Sequence, residues 1–101
     1  MTLKDQAQFE VTDHYYLKER GGFVIGRILS GNFRIGMKIR IEADDNDLII
    51  SGIEFLDNIT EKTYKNALIF KEKPPLDYVK QFLPVGFIIN AYEMNDNETK
   101  R

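Results

Sequence analysis

The residues best suited to recognising a partner are basic side chains gathered in one stretch of the chain. Residues 18–40 contain a single acid, Glu19, among six basic residues. The six are Lys18, Arg20, Arg27, Arg34, Lys38 and Arg40. With Tyr16 and Phe33 nearby, they would form a basic and aromatic surface suited to an RNA backbone, because cations bind phosphates and aromatic rings stack on bases.

The next stretch has the opposite charge, which leaves a second interpretation open. Residues 42–61 carry seven acids and no lysine or arginine. Neighbouring strands of a hairpin often pair opposite charges across the two strands. The basic residues would then belong to an ordinary solvated face, and the net charge of −2 gives no overall attraction to nucleic acid.

Residues that would serve catalysis or metal binding do not form a recognisable set. The chain has no cysteine, which excludes disulfides, thiolate metal ligands and cysteine nucleophiles. His14 is the only histidine, and no serine or acid stands at a spacing typical of its catalytic partners. The acidic run 44–47 lacks the central glycine and distal glutamate of a calcium loop. We therefore predict a protein that is not an enzyme, with no metal site and no cofactor.

The first residues are polar, and no apolar run approaches the length needed to span a membrane. The absence of cysteine fits a reducing compartment. We expect no signal peptide, no membrane association and a cytoplasmic location.

Alternating apolar residues and regularly spaced turns predict an all-β domain. Strands are expected near residues 9–17, 23–29, 33–35, 37–41, 48–55, 63–70 and 85–92. The run 67–70 is apolar at consecutive positions, which suits a strand buried on both faces. Leu76, Val79 and Phe82 stand near helical spacing between prolines, which predicts one short helix.

This order of elements predicts a small closed β-barrel of six or seven strands, Greek-key-like, with one short helix before the last strand. A single barrel domain is expected over 9–93. A polar leader would precede it over 1–8, and a flexible polar tail would follow it over 94–101.

Glycines punctuate the strands and turns of residues 11–41 in a pattern known from one family. The segments follow one another without a gap as Val11-Thr12-Asp13-His14-Tyr15, Arg20-Gly21, Val24-Ile25-Gly26-Arg27-Ile28, Ser30-Gly31 and Ile35-Gly36, with Ser51-Gly52-Ile53-Glu54-Phe55 later. This series resembles domain 2, the β-barrel domain, of translation GTPases of the elongation factor Tu type. The resemblance covers residues 9–55 well and the rest loosely, and it implies the same barrel fold.

In that family, domain 2 contributes to the pocket for the aminoacylated 3′ end of tRNA. The resemblance places Asp13, Tyr15 and Glu54 at positions of this pocket, where a ring would stack on a base and carboxylates would accept hydrogen bonds. The family's arginine three residues beyond the glutamate is Asp57 here. The family's loop asparagine would match Asn66.

A structural interpretation of these pocket positions stays open. Tyr15 would then belong to the core and Asp13 would cap a turn. Glu54 would pair with Arg40 or Lys38.

The chain departs from the family in ways that bear on function. It has no G-x-x-x-x-G-K-[ST] phosphate loop, so it would be a freestanding domain without nucleotide hydrolysis. The family's glycine-rich stretch is replaced by 63–68, and the helical segment after Pro74-Pro75 looks like an insertion. We therefore expect a non-enzymatic interaction module that docks a protein partner linked to translation. The alternative is binding of RNA or a ribonucleoprotein through the basic strands of 18–40.

Overall fold

Strands with alternating apolar side chains close into a barrel in the computed structural model, which describes residues 7–58 and 63–93. The six strands of this described part are β1 (Ala7–Leu17), β2 (Gly21–Ser30), β3 (Lys38–Ile41), β4 (Asn46–Asn58), β5 (Thr63–Phe70) and β6 (Ile88–Tyr92). A short 3₁₀ turn (Glu42–Asp44) joins β3 to β4, and the helix α1 (Leu76–Phe82) precedes β6. The prediction of a small closed barrel with one short helix before the last strand is confirmed.

The order of strands around the barrel is β1-β2-β5-β4-β3-β6, and all neighbouring pairs are antiparallel. The strands β3, β4 and β5 are hairpin neighbours while β2 lies beside β5, which is a Greek-key order. Because strand directions alternate, the β1–β2 turn, the β3–β4 connection and α1 share one end, named here the helix end. The β2–β3 connection (31–37) and the β4–β5 hairpin share the other, named the hairpin end.

The core fills the barrel with inward side chains from all six strands. Its largest fully buried members are Phe9, Phe70, Met37, Ile39, Leu48, Ile50, Leu68, Leu83, Ile89, Val11, Val24 and Val79. The strand β1 changes its inward set at Thr12, because the register moves from Val11 opposite Gly26 to Asp13 opposite Ile25. This bulge places His14 opposite the buried Val24, on the inner side of the sheet.

The strand β5 is buried on both faces, as its consecutive apolar residues predict. Residues 67–70 are all buried. Leu68 and Phe70 belong to the main core. A second, smaller cluster covers the outer face and consists of Phe23, Ile25, Ala67 and Ile69. The neighbouring strands β2 and β5 are thus held together by apolar packing from both sides.

The helix α1 closes the helix end because its apolar side chains recur at helical spacing. Val79 and Leu83 are fully buried against the core. The Tyr78 hydroxyl donates a hydrogen bond to Asp44 Oδ2 at 2.8 Å and accepts one from Asn46 Nδ2 at 3.2 Å. The helix is therefore tied to the β3–β4 connection as well as to the core.

The structure differs from the sequence prediction at several element boundaries. Residues 33–35 are expected to be extended, but they lie in the β2–β3 connection, where Phe33 packs edge-on against Phe9 at 5.8 Å between ring centres. Burial of Phe33 over the end of the core, rather than strand pairing, explains its apolar character. The strand β1 begins at Ala7, before the predicted domain start. The leader over 1–6, the turn over 59–62 and the tail over 94–101 lie outside the described residues.

Candidate interaction surface

The basic residues expected to form one RNA surface point to different sides of the barrel. Arg27 lies on β2, whereas Lys38 and Arg40 lie on β3. These two strands are three positions apart in the six-strand order, so they occupy opposite walls. Arg20 lies at the helix end and Arg34 in the connection at the hairpin end. The structure therefore does not bring the predicted basic residues together.

Five of the six basic side chains, all except Lys18, are also paired with an acid in the described part of the chain. The Arg27–Glu10 pair joins residues directly opposite each other on β1 and β2, with Nη2 and Oε1 3.1 Å apart. Arg40 lies opposite Asp47 on β4 and contacts it at 3.3 Å between Nη1 and Oδ1. The remaining pairs are Lys38–Asp47, Arg40–Asp45 and Arg34–Glu93. Pairing across strands, the second interpretation of the charge pattern, is what the structure contains.

Glu54 is paired with Arg20, not with Arg40 or Lys38. Arg20 Nη2 lies 2.5 Å from Glu54 Oε2, although Arg20 directly precedes β2 and β5 lies between β2 and β4 in the barrel order. The ion pair therefore crosses the outer face of the sheet. The hydrogen bond from Arg20 lowers the pKa of the Glu54 carboxyl below its ordinary value, outweighing the opposing effect of desolvation.

The pocket positions implied by the family share this outer face. Asp13 lies opposite Ile25, which lies opposite Ala67, which in turn lies opposite Glu54. Asp13 and Glu54 thus stand at the two ends of one row across four strands. The space between them is occupied by the buried residues of the outer cluster, so the row has no open cleft at its centre.

Tyr15 stands beside this row and is not part of the core. Its side chain is 53% exposed and contacts the ring of Phe23 edge-on, with 6.2 Å between ring centres. The Asp13 carboxylate accepts a hydrogen bond from the backbone N–H of His14 at 2.8 Å, within the strand rather than at a turn. The structural roles considered for Tyr15 and Asp13 are therefore both wrong.

Asn66 does not join the outer row. It alternates with the outward Ala67, so it faces inward with Gly26, its partner on β2. The residue is 8% exposed, and its Nδ2 has no hydrogen-bond partner within the described part of the chain. The side chain of Asp57, the family's arginine position, lies outside the description.

His14 has a structural contact at the helix end. Its Nε2 lies 2.7 Å from the carbonyl oxygen of Leu83, so the proton sits on Nε2 and is donated to the helix terminus. The bulge at Thr12 makes this contact available because it turns His14 inward. No sequence periodicity could have revealed it.

A groove at the helix end was not identified from the sequence. It has a volume of about 440 Å³ and is lined by Tyr16, Lys73, Pro75, Leu76 and Asp77. Lys73 has a left-handed backbone with φ of 52° and lies against Gly21, whose missing side chain allows the two segments to touch. Pro74 and Pro75 were the only sequence feature that could have indicated the groove, but the fold decides that Pro75 lies beside Tyr16.

Neither a metal-binding cluster nor a membrane-spanning helix occurs in residues 7–58 and 63–93. These residues hold no group of three or more His, Asp or Glu side chains placed to share a metal ion. None of their helices has the length and hydropathy to cross a membrane. No family model, curated protein or solved structure matches the chain.

Proposed function

We propose that the chain is a non-enzymatic interaction module that docks a protein partner at the helix end. The carrying observation is a run of three exposed side chains beside the groove. Tyr15, Tyr16 and Leu17 are 53%, 52% and 49% exposed, on both faces of the end of β1. Tyrosine is enriched in protein interfaces because its ring covers a large area while its hydroxyl keeps a hydrogen bond.

The groove beside Tyr16 supports a protein partner through its charges. Pro75 and Leu76 supply the apolar part of its lining, while Lys73 and Asp77 add one charge of each sign. Neither charge has an ion-pair partner within the described residues. A partner segment with an apolar residue between an acid and a base would satisfy both charges and cover Pro75 and Leu76.

The resemblance to domain 2 of translation GTPases supplies the proposed context. It makes translation factors and ribosomal proteins the first partners to examine. RNA remains the alternative, but binding through Arg20, Arg27, Arg34, Lys38 and Arg40 would require competition with an acid at each position. That arrangement favours a protein partner over a phosphate backbone.

The docking proposal is tested by comparing two serine variants as bait in extracts of the native cell. Tyr16→Ser removes the aromatic ring beside the groove, whereas Ile35→Ser removes an apolar side chain that is 69% exposed at the hairpin end. A translation protein should be retained by the wild type and Ile35→Ser but lost from Tyr16→Ser. With that partner purified, Tyr16→Ser should raise the Kd about 30-fold, as for an interface hot spot. Equal binding by the two variants would remove the helix end from the proposal.

The RNA alternative has its own test, binding of fluorescent bulk tRNA as salt is raised from about 50 mM to about 200 mM. We expect no binding even at the lowest salt. Tight binding that falls steeply with salt and is weakened by Arg27→Ala would replace the protein-docking proposal.

A further inference from the structure

One strand of the barrel extends beyond its neighbour. The β3–β4 pairing covers residues 46–49 of β4. At the next residue, the Ile50 N–H donates a hydrogen bond to Met37 O at 2.9 Å, and the Ile50 carbonyl accepts one from the Gly36 N–H at 2.8 Å. Beyond Ile50, the backbone of β4 pairs only with β5 among the described residues. A closed barrel otherwise has no edges, so residues 51–58 form an edge that can accept another strand.

The register identifies which backbone groups face this edge. Ile50 lies opposite Phe70 and directs its N–H and carbonyl away from β5, toward the β3 side. In an antiparallel pair this orientation recurs at every second residue. After the one-residue bulge at Ser51, the equivalent positions are Ile53 and Phe55. Their N–H and carbonyl groups therefore point toward the open edge.

The edge lacks the features that usually prevent strands from associating. Residues 51–56 include no lysine, arginine or proline. Phe55 is 80% exposed and Leu56 is 38% exposed. The single ionised side chain, Glu54, is already paired with Arg20 of the same molecule. Over residues 51–56, two such edges can approach each other without an uncompensated charge between them; Asp57 is the one further acid of the edge.

We propose that a second copy of this chain adds its β4 edge to this one, antiparallel, about a two-fold axis at Phe55. In this register the Phe55 residues of the two copies are opposite each other, and Glu54 of each copy lies opposite Leu56 of the other. A register centred on Glu54 would oppose two like charges, which is unfavourable. The register centred on Phe55 joins the β4–β5 pairs of the two copies into one four-stranded sheet and covers the exposed Phe55 rings.

This dimer does not depend on docking at the helix end, because the edge lies toward the hairpin end. The full-length chain is examined by sedimentation velocity from about 1 μM to about 100 μM, the range of ordinary specific association. A monomer–dimer equilibrium is expected. Phe55→Pro removes an edge-facing N–H without removing a bond to β5, and it should raise the dimer Kd about tenfold or more. Val85→Ser, which changes an exposed apolar residue at the helix end, should leave the Kd unchanged.

Cysteine cross-linking tests the register even if the proline variant folds poorly. Residues in a hydrogen-bonded antiparallel pair have Cα atoms about 5.5 Å apart, within the range that a disulfide bridges. Because the chain has no cysteine, Phe55→Cys introduces a single thiol. Two such thiols should lose two electrons to added oxidised glutathione, by thiol–disulfide exchange, and form one disulfide-linked dimer. Leu56→Cys should not, because its counterpart lies on the diagonal, beyond that range.

Three results would overturn the proposal. The first is a monomer at every concentration, including one that captures a foreign strand through Phe55. The second is a dimer whose Kd does not respond to Phe55→Pro in a folded variant. The third is cross-linking of Leu56→Cys in preference to Phe55→Cys.

Discussion

Gly26 and Gly52 both interrupt strands, but only Gly26 has no room for a side chain. A Cβ at Gly26 would overlap the carbonyl oxygen of Glu10 and lie 2.7 Å from Cε1 of Phe9. A Cβ at Gly52 would lie 3.5 Å from the side chain of Ile69, an ordinary contact distance. Neither glycine has positive φ, so alanine can adopt both backbones. The pair of substitutions Gly26→Ala and Gly52→Ala therefore isolates the effect of space.

The expected magnitude follows from three contributions. Each alanine restricts the unfolded chain and thereby stabilises the fold by about 0.4–1 kcal/mol, and this gain cancels in the comparison. At Gly26 the overlap is with backbone, which no rotamer change relieves, and overpacking of this kind costs about 1–3 kcal/mol. Separation of β1 from β2 would also weaken a ladder hydrogen bond worth about 1 kcal/mol. We expect Gly26→Ala to be less stable than Gly52→Ala by about 2–4 kcal/mol.

The measurement is equilibrium unfolding in urea, with both variants and the wild type followed by circular dichroism. Comparable slopes against urea would show that the three proteins unfold from similarly compact states, so that midpoints report stability. Gly52→Ala should unfold at or slightly above the wild-type midpoint, and Gly26→Ala well below it. If the two variants differ by less than about 0.5 kcal/mol, within measurement error for such data, the close approach of β1 to β2 is not as described.

Two further predictions concern ionisable groups. Arg20 lowers the pKa of Glu54 from its ordinary 4.5. The Arg20–Glu54 ion pair therefore stabilises the fold fully above pH 4.5, and this stabilisation is lost as the pH falls through the lowered pKa. Glu54→Gln should therefore lower the urea midpoint near neutral pH but not in strong acid; an equal loss at both would contradict the ion pair. Burial and, to a lesser extent, the Asp44 carboxylate raise the pKa of Tyr78 above its ordinary 10.0, against a lowering effect of the hydrogen bond from Asn46, so the tyrosine absorbance should contain a late-ionising phenol that Tyr78→Phe removes. The same variant should lose about 1 kcal/mol of stability, and an unchanged urea midpoint would show that the Tyr78 hydroxyl does not hold α1 in place.

The barrel was largely predictable because its determinants are local. Alternation marks the inward residues of β3, and the consecutive apolar residues 67–70 mark β5 as buried on both faces. Leu76 and Val79 at helical spacing, preceded by Pro75, mark α1. Each pattern lies within a few residues, so it can be recognised without knowing which strands pair with one another. The prediction of extended structure at 33–35 was wrong. An apolar residue that covers the end of the core cannot be told in the sequence from an apolar residue of a strand.

The candidate surfaces were much less predictable, because they depend on which strands become neighbours. The excess of basic residues in 18–40 is a property of the sequence, but the barrel order divides those residues between opposite walls. The predicted partner of Glu54, Arg40 or Lys38, was wrong because the prediction also depended on which strands become neighbours. Arg20, directly before β2, reaches Glu54 on β4 across the intervening strand β5, a relation that no hairpin pattern contains.

By itself, the sequence determined most of the strand segments, the single short helix and the absence of cysteine thiols. Tertiary structure alone decided the ion pairs, the groove beside Tyr16, the open edge at Phe55 and the difference in available space between Gly26 and Gly52. The physical reason is the range of the interactions. Strand propensity acts between residues close along the chain, whereas register, bulges and closure set the contacts between residues that are far apart in sequence.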